Sequence, residues 1–154
     1  MKKCLVIGYG NTLRGDDGLG PYIVESLRDK INNLGKNVKI MSLPQLDIVL
    51  SLEICQADLV IFIDARSDDI DELVSIEEIR PTVNPTTLNY TSHTISIPVL
   101  LHITRDWYGS EPLCYAVMPK GFDFSFSSTI SKRALESANL AQNKIMEILH
   151  SFDQ

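Results

Sequence analysis

Two unbroken apolar runs, Cys4 to Ile7 and Leu59 to Ile63, read as strands buried on both faces, the pattern of a parallel sheet covered by helices. Val38 to Leu43 and Leu113 to Met118 read as neighbouring strands. Glu72 to Ile79 alternates polar and apolar positions, as an edge strand would, which brings the count to about five. Between the strands the apolar period lengthens to that of a helix. Ile23, Leu27, Ile31 and Leu34 share one face, with Pro21 in the first turn and Gly35 stopping the run. A second helix is expected from Pro44 to Ala57 and a third from Ile97-Pro98 to near Gly109. The last runs from about Ser131, with Ala134, Ala138, Ala141, Ile145 and Ile148 along one side. Strand and helix alternate almost throughout. That order predicts a three-layer α/β domain, a mostly parallel sheet flanked by helices on both faces, and no repeat or linker divides residues 1–154.

Two segments break the pattern. Arg80 to His93 contains Pro81, Asn84, Pro85 and four threonines without periodicity, and a loop of that length in a compact domain is more often functional than idle. Lys120 to Ser128 is the second.

Composition narrows the function classes. Fourteen Lys plus Arg stand against 20 Asp plus Glu, a formal charge of −6, which offers no basic field to nucleic acid or anionic lipid. At 154 residues with 44% hydrophobic content the chain can bury a core without staples. Cys4, Cys55 and Cys114 have apolar neighbours and spacings that suit neither a disulfide framework nor a zinc cage, so they read as core residues. The apolar run after Met1-Lys-Lys is too short for a signal peptide and no segment approaches transmembrane length. A cytoplasmic protein is expected.

The chemistry concentrates after the first strand, in Gly8-Tyr-Gly-Asn-Thr-Leu-Arg-Gly-Asp-Asp-Gly-Leu-Gly20. Glycine at this density suggests a turn that a ligand approaches closely. The dinucleotide fingerprint fails, because Leu13 stands at its third glycine and the strand from Val38 to Leu43 ends without an acid for a ribose. A phosphate-binding loop fails as well, for want of Gly-Lys-Ser/Thr. Asp16 and Asp17 suit a cation better than an anion.

In open parallel sheets ligands bind beyond the carboxyl ends of the strands. Asp17 follows the first strand and Asp64 ends the run Leu59-Val-Ile-Phe-Ile-Asp64; an acid leaving so apolar a strand needs a partner at the rim. His93 closes the long loop just before the third helix, whereas His102 in a helical stripe and His150 in a last helical turn read as structural. Asp17, Asp64 and His93 together form a mixed oxygen and nitrogen set suited to a borderline divalent metal with open positions. No serine elbow, zinc-protease helix or activated cysteine is present, so a hydrolase built on this chain lacks an evident side-chain nucleophile.

The ordered motifs resemble those of the nickel-iron hydrogenase maturation endopeptidases: G-x-G-N-x-L-x-x-D-D-G-x-G at Gly8 to Gly20, Ala57 to Ala65, Ser92-His93, Pro98 to Leu101, and Ile130-Ser131 before the last helix. Gln45-Leu46 and Gly121 to Phe124 are similar to the branch that serves bidirectional, NAD-linked hydrogenases. The resemblance implies a small α/β enzyme that removes the C-terminal extension of the hydrogenase large-subunit precursor once nickel is inserted; a monomer is expected. It places the metal contacts on Asp17, Asp64 and His93, with nickel supplied by the precursor and no tightly bound metal of the enzyme's own. Some members carry glutamate where Asp17 stands. Two other readings remain at this stage, a nickel-sensing chaperone that binds the same precursor without cutting it and a flavodoxin-like small-molecule binder.

Overall fold

The computed structural model describes residues 2–82 and 95–152. The first apolar run becomes β1 (Lys3–Tyr9) and the second β3 (Leu59–Ile63), the latter buried at every position. They pair in parallel, with β2 (Asn37–Leu43) beyond β1, β5 (Leu113–Pro119) beyond β3, and β4 (Val74–Glu78) antiparallel on the far edge. The resulting order is β2-β1-β3-β5-β4, a five-stranded, mostly parallel sheet.

Alternation along β1 and β3 feeds two cores. Cys4, Val6, Leu59, Ile61 and Ile63 face α1 (Leu19–Asn32) and α4 (Lys132–Ser151). Leu5, Ile7, Val60 and Phe62 face the opposite layer, built from the second helical segment and α3 (Ile97–Tyr108). The expected three-layer α/β arrangement is what the chain adopts. The alanines of α4 leave room for close packing: Ala134, Ala138 and Ala141 are fully buried, and Leu149 rather than the expected Ile148 completes the buried stripe.

Two elements are shorter than their patterns suggest. The segment read as a helix from Pro44 to Ala57 holds a 3-10 turn at Ile48–Leu50 and then only α2 (Ser51–Ile54). Asp47 starts it late by accepting a hydrogen bond from the Val49 N–H at 3.0 Å, and Asp58 ends it by donating its N–H to the Lys3 carbonyl at 2.8 Å, which leads the chain into β3. The expected edge strand from Glu72 starts only at Val74. Arg66 explains the loss: its guanidinium, side chain 9% exposed, takes the carbonyls of Ile70 and Glu72 out of any ladder and pairs with Asp68.

The sheet order sets the position of the site. Chain direction reverses its lateral progress at β1, which sends β2 to one side and β3 to the other, so a crevice opens beyond the carboxyl ends of β1 and β3.

Candidate functional site

Helix α1 reaches this crevice because two glycines let it lie against β1. A methyl on Gly20 would stand 2.6 Å from the carbonyl oxygens of Ile63 and Tyr9, and one on Gly8 would meet the Gly20 backbone and the Val24 side chain. These glycines serve packing within the chain, where the sequence suggested ligand approach. Gly10, with φ of 149°, makes the turn itself; a side chain there would strike the Asp17 carbonyl. The 3-10 turn Gly15–Gly18 that follows carries both aspartates into the start of α1.

The two adjacent acids have opposite surroundings. Asp16 is fully buried. Its Oδ2 accepts from Phe122 N at 2.7 Å, Asp123 N at 2.9 Å and Ser131 Oγ at 2.7 Å, and its Oδ1 accepts from Ser131 N at 2.8 Å. Burial alone would raise its pKa, but these donors outweigh burial and hold it below the usual carboxylate value. Asp16 therefore organises the irregular segment after β5 and the cap of α4, where Ser131 Oγ also accepts from Ala134 N. Asp17 is half-buried, takes a hydrogen bond from Asn11 N on Oδ2 at 2.7 Å, and faces the crevice.

Asp64 stands directly after β3, in the register that sets Gly8 opposite Ile63, so it comes alongside Tyr9. The Tyr9 phenol donates to Asp64 Oδ2 at 3.0 Å. Burial first, with the neighbouring charge of Asp17 adding to it, raises the Asp64 carboxyl to about 6 despite the hydrogen bonds from Tyr9 and the Ala65 backbone. Burial and the same two carboxylates push the Tyr9 phenol above its ordinary value, so it stays a neutral donor. Tyr9, Asp17 and Asp64 line an open cleft of about 180 Å³ together with Ile95 and with Pro44, Gln45 and Leu46, which the late start of α2 leaves outside the helix.

Asp17 and Asp64, expected from sequence, are thus brought together. His93 lies outside the described residues. His102 is engaged by the Thr82 carbonyl through Nδ1 at 3.0 Å and by Asp106 through Nε2 at 3.0 Å, and His150 is exposed in the last turn of α4. Among the described residues no group of three or more His, Cys, Asp or Glu forms a metal cluster. The donor chemistry nonetheless suits a cation: two carboxylates share one open cleft, the charge of Asp17 adds to the cost of ionising Asp64, and a divalent ion between them would relieve that repulsion. Tyr9 escaped the sequence reading. Its signal was available in principle, since the residue after a strand's last buried glycine sits beside the residue after its neighbour's last isoleucine.

No family model matches the chain. A candidate hydrogenase maturation protease from Methanocaldococcus jannaschii is 25% identical over 157 residues, covering 96% of this chain and 89% of that one. Among solved structures, the hydrogenase maturating endopeptidase HybD from E. coli superposes with a TM-score of 0.76 at 20% identity, covering 96% of this chain and 92% of its own. The nickel-iron hydrogenase maturation protease HycI from Thermococcus kodakarensis gives 0.70 at 22% identity, covering 97% and 94%. Along nearly its whole length, in sequence and in fold, the chain resembles the hydrogenase maturation proteases.

Proposed function

We propose that this protein is an endopeptidase that removes the C-terminal extension of a nickel-iron hydrogenase large-subunit precursor after nickel has been inserted. The observation that carries this reading is the convergence of Asp17 and Asp64, from the ends of two different strands, on one cleft at the switch point of the sheet. Ile95, two positions after His93, lines the same cleft, which supports His93 as the third contact. A donor set of two carboxylates and one imidazole, without thiolate, holds free metal weakly, so the metal is the precursor's own nickel and arrives with the substrate. Hydrolysis then needs a water oxygen to attack the scissile carbonyl carbon, a carboxylate to take the water's proton, and the leaving nitrogen to receive one as the C–N bond breaks. Gln45 and Leu46, the residues similar to the bidirectional branch, lie on the cleft wall, and we place the host hydrogenase in that branch on this ground.

The test is to incubate purified protein with nickel-loaded and nickel-free precursor and weigh the products. Loss of the C-terminal extension from the loaded precursor alone is the expected result, and His93→Ala abolishes it while the melting temperature holds. Stable binding of loaded precursor without any mass loss would make the protein a nickel-sensing chaperone instead. Equal cleavage of both precursors, with zinc bound stoichiometrically to the enzyme, would make it an ordinary metallopeptidase.

A further inference from the structure

Tyr9 and Asn11 flank Gly10 in one turn, and each donates to a different carboxylate of the cleft. The Tyr9 phenol reaches Asp64 Oδ2 at 3.0 Å, and the Asn11 N–H reaches Asp17 Oδ2 at 2.7 Å. The turn is pinned in turn by the Gly10 N–H, which donates to the Leu43 carbonyl at 3.1 Å, and by the close approach of Gly10 to the Asp17 backbone. We propose that Tyr9 is a positioning residue for precursor cleavage, yoking Asp64 to the turn that holds Asp17 so that the acid pair keeps its mutual orientation before the substrate docks.

The physical need is plain. Two like-charged side chains sharing a half-buried cleft repel, and each has staggered rotamers that would carry its carboxylate away from the other. A neutral donor on each, drawn from a single rigid turn, opposes that separation without neutralising either charge. Tyr9 suits the task because its side chain packs against the core on the α3 side of the sheet and lines the cleft, where its hydroxyl meets Asp64. A phenylalanine would keep the packing and lose the yoke.

This inference rests on the endopeptidase reading, and two measurements separate their fates. In steady-state cleavage of nickel-loaded precursor, Tyr9→Phe lowers kcat about tenfold and leaves KM within about twofold, because the orientation of an acid is lost while the docking surface stays. Tyr22→Phe, on the exposed face of α1, changes neither. In the second measurement, 3-fluorotyrosine is placed at position 9 by a reassigned stop codon and its fluorine resonance is followed during titration with Cd²⁺ alone. The resonance moves in the otherwise wild-type chain and is unresponsive in Asp64→Asn. A Tyr9→Phe kcat within about twofold of wild type, or a position-9 resonance that ignores Cd²⁺, overturns the positioning role. Should Tyr9→Phe fail to fold, the fluorine measurement decides by itself. If wild type leaves loaded precursor intact, the cleavage reading falls, and the fluorine response still reports whether Tyr9 acts on Asp64.

Discussion

Asp16 and Asp17 are neighbours in sequence and opposite in surroundings. One is fully buried and accepts four hydrogen bonds from the segment after β5 and the start of α4; the other is half-buried, takes one backbone N–H among the described residues, and is open to the cleft. The same side chain therefore serves as a structural fastener at one position and, on the proposed endopeptidase reading, as a reactive acid at the next, according to its surroundings. A carboxylate sealed from solvent among four donors is out of reach of a substrate and its surroundings resist protonation; one open to a cleft can take a ligand.

The largest expected effect breaks this pair on the functional side. Asp17→Asn lowers cleavage of nickel-loaded precursor by about 10³-fold with the urea midpoint unchanged, whereas Asp17→Glu keeps measurable activity because the glycine-rich turn absorbs one methylene. Near-normal cleavage by the Asn variant would remove Asp17 from the site.

The structural side breaks next. Both Asp16 oxygens accept from N–H or O–H groups, so the amide of Asp16→Asn must point its NH₂ at a donor, and the variant loses about 3 kcal/mol in urea unfolding. An Asp16→Asn protein that unfolds like wild type yet fails to cleave would reverse the two roles.

A pH series sharpens the contrast through opposite signs. The lowered pKa of Asp16 contributes stability that is present above about pH 4 and lost as pH falls below it, and Asp16→Asn removes that acid-limb dependence. Asp64, raised to about 6, behaves the other way: between about pH 4 and 6 the native state binds more protons than the unfolded chain, so stability declines as pH rises through that window. Asp64→Asn should match wild type near pH 4 and exceed it by about 2 kcal/mol above pH 6, read from thermal or urea unfolding at each pH. A difference that stays flat across the window would sink the assignment of Asp64 as an acid held at a cost.

The smallest effect tests how the fastener is shared. Ser131→Ala deletes one of the Asp16 donors and the side-chain cap of α4, leaves the Ser131 N–H in place, and costs about 1 kcal/mol with cleavage intact. A loss as large as that of Asp16→Asn would show that the hydroxyl, rather than the set of donors, fixes the carboxylate.

Much of the framework was legible because it is local. The wholly apolar Leu59–Ile63 announces a strand covered on both faces, and Gly35 ends the stripe of α1 where its φ of 67° requires glycine. Asp17 and Asp64 were legible because strand ends in a parallel sheet converge by topology. The division of labour between Asp16 and Asp17 was not, since the donors that settle it lie 106 to 115 residues away. Nor was the shortness of α2, where the apolar period continues but Asp47 and Asp58 redirect the backbone. Tyr9 looked like one more strand residue until the β1–β3 register set it beside Asp64.

The tie between Asp16 and Ser131 spans 115 positions of the chain, and it has a consequence for how the protein is made. On the ribosome the glycine turn emerges well before the groups that seat its buried acid, which follow only when the head of α4 clears the exit tunnel. Until then Asp16 is an unpaired charge, and the 3-10 turn that carries it lacks this anchor. On the endopeptidase reading, a nascent chain therefore meets a hydrogenase precursor with its site still unfinished until α4 has been made.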